Sequence, residues 1–359
     1  MFLGTNRKTL LQKGFFVPAS LSPYPVLANH ETLTTTALYP AKLKDDLRVT
    51  AGIRTIEDVN ELRVRVEEDL TREIVALSQQ QENAQTLLLS NEHCHSRLVT
   101  REEVHYLRQF LDRFAEETRI VVYLRPQHEL AISQYSTLIK TGFHDIDVLP
   151  DFTGGSPIRG FGKLYFEYDK LLERWAGEFG RDKITVRLYS KEHLEGNDVI
   201  QDFMSVIGCN ADGLQVPANE NVSLSAEHLT VVNAINRYVA SQISLAGPLI
   251  QRHKLITAFE ALSSLSGGSG NTVKREDAMR FFHTYDDCNE RVRRDYFPSA
   301  ELLFRPDFNK FPVDDPLKTN EIDAAVRLIL RLLGVLVNPS EIGTTSTLNG
   351  RPSPVARYG

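Results

Sequence analysis

Between Thr86 and Gly142 the chain alternates an apolar strand, TLLLS, a polar break at Asn91-Glu92-His93, a helical stretch, a second strand, IVVYLR, ending on Arg125, and a helix containing Ser133. A strand, a helix of this length and a strand again point to parallel pairing through a right-handed crossover. Parallel strands bring their carboxyl ends to one edge, and open α/β sheets build their ligand crevice there. Glu92 and His93 from one strand and Arg125 from the next therefore share an edge.

The flanking text has the same alternation. Leu3, Leu10 and Leu11 share one face of a helix over residues 2–13, which Gly14 ends, and a short strand at Phe15-Phe16-Val17 stops at Pro18. Residues 19–55 have weak periodicity and read as loop with short helix. Leu62, Val66, Leu70, Ile74 and Leu77 stripe a helix from Asn60 to about residue 81. Thr100 with Glu103 forms a capping box for a helix carrying Val104, Leu107, Leu111 and Phe114 inward. Pro126 suits the first position of the next helix, where its missing N–H costs nothing, and Gly142 closes that helix. Residues 143–162 have no period and carry three glycines between Gly154 and Gly160, as a lid over an acceptor would. A helix around Tyr165–Phe179, a strand at 184–190 and a helix at 198–207 follow. The chain then reads mostly helical over 225–305, with a Ser/Gly loop at 264–270 and a tail at 338–359 too poor in apolar residues to pack. The expectation is one α/β domain through residue 337 with a parallel central sheet and a helical last third.

Charge and cysteine content narrow the function. A net charge of −6 with both signs interspersed lacks the basic stripe of a nucleic-acid binder. Three cysteines, Cys94, Cys209 and Cys288, make no disulfide framework and, with no His/Cys cluster at ligand spacing, no metal is expected. No apolar run approaches the roughly 18 residues that span a bilayer. A cytoplasmic location fits that pattern.

Arg125, followed at once by helix N–H groups, can form an anion pocket suited to phosphate, or it can pair with a neighbouring carboxylate. Ser133 either joins that pocket or is an ordinary helix hydroxyl. Glu92, at the end of an apolar strand, would have its carboxyl pKa raised by burial and so suit proton abstraction. His93 and His95 are alternative bases, or groups that cap a helix or bond backbone. Cys94 reads as a packed thiol. The run Arg291-Val292-Arg293-Arg294 is either an anion site or a solvated helix face.

Taken in order, LLLSNEH, VVYLRPQHELAISQYSTLIKTG, YFEYDKLLERWAGEFGRDKITVRLYS, DFMSVIG, NVSLSAEHL and NERVRRDYFPSAELLF resemble the bacterial sulfotransferase-like family of P-loop fold, over roughly residues 2–305. The resemblance implies a P-loop NTPase-like three-layer sandwich. It also implies transfer of a sulfuryl group from 3′-phosphoadenosine 5′-phosphosulfate (PAPS) to a hydroxyl acceptor such as a saccharide, without a metal. It assigns the 3′-phosphate to Arg125 and Ser133, and the catalytic base to Glu92 or His93. The family's opening strand and K-T-G-T-T-S-type loop, which hold the 5′-phosphosulfate, have no counterpart in this sequence. That absence implies an unpaired strand edge or a hole in the sheet, and little transferase activity for the chain as written. Either the protein starts further upstream, or it is a degenerate relative that serves as a non-catalytic interaction protein. A kinase on the same fold lacks its P-loop lysine and Mg²⁺ ligand.

Overall fold

The computed structural model describes residues 2–24, 28–80, 84–152, 162–216, 226–243 and 273–313. The expected tail at 338–359, the loop at 264–270 and Gly154, Gly155 and Gly160 of the 143–162 segment lie outside the described residues. The chain divides into two compact units. One comprises Met1–Arg125, Lys163–Glu220 and Cys288–Leu303, and the other Pro126–Gly162, Asn221–Asp287 and Phe304–Gly359.

Among the described residues the first unit holds four strands, β1 (Phe15–Phe16), β2 (Thr86–Leu87), β3 (Ile120–Leu124) and β4 (Ile184–Leu188). All pairing is parallel, as the sequence implies. It occurs as two separate two-stranded sheets, β1 with β2 and β3 with β4. β3 and β4 match residue for residue from Ile120 opposite Ile184 to Leu124 opposite Leu188. The expected single central sheet is thus seen as two pairs.

Helix boundaries follow from side-chain chemistry. The expected first helix is broken into α1 (Phe2–Thr5) and α2 (Arg7–Gln12) at the buried Asn6. The Asn6 amide donates to Phe2 O at 2.9 Å and to Gln215 O at 2.8 Å, and accepts from Gln215 N at 2.7 Å. Short helices α3 (Glu31–Ala37) and α4 (Asp46–Thr50) occupy the stretch of weak periodicity. Helix α5 (Ile56–Gln79) begins earlier than its apolar stripe, because Thr55 and Asp58 form a capping box. After β2 come α6 (His93–Arg97) and α7 (Arg101–Leu111), the latter opened by the Thr100–Glu103 capping box. Leu3, Leu10, Val17, Leu88 and Met204 form a core that joins the β1–β2 layer to the helix Val199–Val206.

The second unit starts with α8 (Gln127–Thr141). Pro126 is its N-cap, one position earlier than expected, while Gly142 takes the left-handed conformation at φ 111° and stops it. Gly142 N donates to Ile139 O at 3.1 Å, and Asn236 Nδ2 adds a second donor there at 2.8 Å while reaching Phe143 O at 2.7 Å. Tyr135 and Ile139 pack with Leu229 and Val232 of the helix Ala226–Ile243.

No described helix is long and apolar enough to cross a membrane.

Candidate functional site

The site lies in the first unit, where the carboxyl ends of β1, β2 and β3 meet loops and helix starts. His30, fully buried just before α3, fastens the first two ends together. Its Nδ1 accepts the Ser90 N–H at 2.9 Å, so the proton is on Nε2, which donates to Pro18 O at 3.2 Å. Burial lowers its pKa, in keeping with that neutral form. Asn91 continues the clamp. Its Nδ2 donates to His30 O at 2.8 Å and to Thr34 Oγ1 at 2.7 Å, while its Oδ1 accepts the His93 N–H at 2.9 Å. The start of α6 is thereby fixed against α3.

Glu92 is the N-cap residue of α6, and its side chain does not bond the helix N–H groups. It is exposed, so the expectation of a buried carboxyl at this strand end is corrected. The β2 ladder ends just past Leu87, and the clamp through Asn91 turns Glu92 outward. His93 is half-buried, with Nε2 3.8 Å from the Glu31 carboxylate. Burial raises the Glu31 pKa, with His93 opposing it. Cys94 lies beside Thr34 Oγ1 at 3.4 Å, and burial pushes its thiol up to about 11. It is a packed thiol rather than a nucleophile.

His95 takes the role of a group bonded to backbone. Its Nε2–H donates to Tyr165 O at 2.9 Å, and its ring stacks on the Tyr165 ring at 4.2 Å and 15°. Burial lowers its pKa to about 4, with Arg174 acting in the same direction, so the ring is neutral. One turn on, the Tyr168 hydroxyl donates to Arg125 O at 2.8 Å. The segment from Tyr165 to Tyr168 therefore touches α6 at one end and the end of β3 at the other.

Arg125 is half-buried, and its guanidinium lies 5.8 Å from the ring centre of Tyr189, just past the end of β4. The Tyr165 phenol is pushed up to about 12, first by burial and then by the Glu92 carboxylate, with Arg125 opposing. A carboxylate and a guanidinium thus bear on one phenol. Ser133 lies on the second turn of α8 in the second unit, half-buried, its carbonyl accepting from Thr137 Oγ1 at 3.1 Å.

The structure brings Glu92, Arg125, Tyr165 and His95 together. Tyr165, Tyr168 and Tyr189 escape a reading by motif. Tyr165 follows the aperiodic 143–162 segment, and only its contact with His95 reveals its place. Tyr189 falls inside the strand expected at 184–190, and only the shorter observed β4 leaves it exposed past the strand end.

The arginine run at 291–294 is an ion-paired helix face, on the helix Asp286–Tyr296. Arg291 pairs with Asp169 at 2.7 Å, Arg293 with Glu290 at 2.7 Å, and Arg294 with Asp295 at 3.1 Å. A pocket of about 250 Å³ lies there, lined by Asp169, Glu173, Arg181, Arg291, Asp295 and Tyr296. Its cations are engaged, Arg181 with Asp295 at 3.1 Å.

No protein-family model matches the chain, and no solved structure matches it. An uncharacterized protein of Archaeoglobus fulgidus (strain ATCC 49558 / DSM 4304 / JCM 9628 / NBRC 100126 / VC-16) is 25% identical over 228 residues, covering 62% of this chain and 58% of that protein. The chain thus spans less than two thirds of that relative's length. The similarity extends the sequence to an archaeal relative and carries no activity with it.

Proposed function

We propose that the first unit is a nucleotide site of a sulfotransferase-like protein of P-loop type. The observation that carries this reading is the Tyr165–Tyr168 segment, which ties the Glu92 end of β2 to the Arg125 end of β3. A cation at one strand end and a carboxylate at the next are the parts that an anionic donor and a hydroxyl acceptor require. Arg125 holds the 3′-phosphate of PAPS, with the exposed Tyr189 beside it. Glu92, open to solvent, takes the proton of an acceptor hydroxyl, of which a saccharide is the first class to try. In a protein that also supplies the loop for the 5′-phosphosulfate, which this sequence lacks, the acceptor oxygen would bond to sulfur as the bond between sulfur and the 5′-phosphate oxygen breaks, and 3′-phosphoadenosine 5′-phosphate (PAP) would depart with the electron pair.

Calorimetric titration of PAP into the wild type and Arg125→Ala tests the reading. Wild type binds, and Arg125→Ala binds at least tenfold more weakly, since losing one partner of a charge pair costs about 2–5 kcal/mol when that pair is desolvated. Failure of the folded wild type to bind overturns the reading and leaves an interaction protein as the better account.

A further inference from the structure

The cavity of about 250 Å³ in the first unit lies between the helices Tyr168–Phe179 and Asp286–Tyr296. Two ion pairs bracket it, Arg291 with Asp169 at 2.7 Å and Arg181 with Asp295 at 3.1 Å. The buried Leu172 and Val292 give it an apolar lining. Each bracket leaves one charge unmatched. Glu173, one turn past Asp169 on the same helix, lines the cavity, and its exposed carboxylate makes no hydrogen bond or ion pair among the described residues. At the other bracket Arg181 and Arg294 share the single carboxylate of Asp295, and of the Arg181 guanidinium only Nη2 is bonded. The half-buried Tyr296 ring lies 5.5 Å from that guanidinium, close enough to hold it by a cation–π contact.

A spare carboxylate and spare guanidinium N–H groups therefore line one apolar cavity without pairing with each other. A ligand of either single charge would satisfy one group and leave the other unmatched. We infer that the cavity binds a small zwitterion, an ammonium and a carboxylate joined by an aliphatic chain. The ammonium meets Glu173, the carboxylate accepts from the spare N–H groups of Arg181, and the chain covers Leu172 and Val292. The volume falls below the roughly 300 Å³ at which sites for drug-sized ligands begin, which limits the ligand to a single short chain.

Three probes and two variants of the full chain test this. The probe 6-aminohexanoate carries both charges, hexylamine only the ammonium and hexanoate only the carboxylate. In titration calorimetry the wild type should bind 6-aminohexanoate, and each single-charge analogue about fivefold more weakly, the upper end for an exposed ion pair. Glu173→Gln should lose the preference over hexanoate and keep that over hexylamine, and Arg181→Gln should do the reverse. Both side chains are exposed, so both variants should fold, and their titration with PAP should match that of the wild type. A wild type that binds none of the three probes overturns the inference, as does one that binds all three alike. Variants that keep both preferences overturn it as well. PAP is titrated separately, so its result bears on the nucleotide reading alone.

Discussion

His95 is held neutral by its surroundings, and that has a consequence for stability against pH. A free histidine titrates near 6.5, whereas burial against Tyr165 takes His95 down to about 4. Between those values the unfolded chain binds a proton that the folded chain does not, so stability falls with falling pH. The contribution is complete above about pH 6.5 and is lost as the pH drops through about 4. His95→Phe, which preserves an aromatic ring against Tyr165, should flatten the pH dependence of unfolding free energy between those limits. The buried His30 is shifted in the same direction, so a smaller slope should remain. Urea unfolding of both proteins at several pH values measures it, and parallel curves would refute the assignment. Glu92 shows the opposite limit of residue-scale reading. Its position after an apolar strand was legible, but its exposure depended on the Asn91 clamp to α3, which is a contact between segments distant in sequence.

Elements are joined by a few buried charges that no local pattern announces. The Thr100–Glu103 capping box was plain in the sequence and opens α7 as expected. The same Glu103 carboxylate also accepts the Tyr39 N–H at 2.9 Å and pairs with Lys42 at 2.6 Å, tying α7 to the chain beyond α3. Asp202 does the equivalent for the second strand pair. From the helix Val199–Val206 it accepts from Tyr123 Oη of β3 at 2.7 Å and Arg187 Nε of β4 at 3.0 Å, and from the Glu195 N–H at 3.0 Å. Burial alone would raise the Asp202 carboxyl, but Arg187 and these donors outweigh it and hold it below the ordinary aspartate value. Asp202→Ala leaves Arg187 and Tyr123 without their acceptor. The expected loss is about 3 kcal/mol, toward the lower end for a broken buried pair, because Arg187 keeps access to water. A shift in urea midpoint reads it, and a loss below about 1 kcal/mol would mean the network is a surface contact in energetic terms.

At the scale of the whole molecule, the apolar runs LLL and IVV marked strands and their parallel sense, but not how many neighbours each strand has. Strand existence is local, whereas pairing depends on partners far along the chain, and parallel sheets are ordinarily covered on both faces. Here Ile120 through Tyr123 are only half-buried, and β2 and β3 each pair on one side among the described residues. The hydrogen bonds tell which amides face which way. Tyr189 N donates to Leu124 O at 2.7 Å, so Leu124 faces β4, and by the period of two so do Val122 and Ile120, leaving Val121 and Tyr123 facing the other edge. On β2, Leu88 N donates to Phe16 O at 2.8 Å, which leaves Leu87 and Leu89 facing away from β1. Native-state hydrogen exchange should therefore alternate, with Leu88, Val122 and Leu124 slow and Leu87, Leu89, Val121 and Tyr123 fast. A strand enclosed between two neighbours protects every amide, so uniform slow exchange along Ile120–Leu124 would mean that β3 has a second partner in solution. Alternation would instead establish two independent parallel pairs, with the Tyr165–Tyr168 segment rather than a continuous sheet as the link between their carboxyl ends.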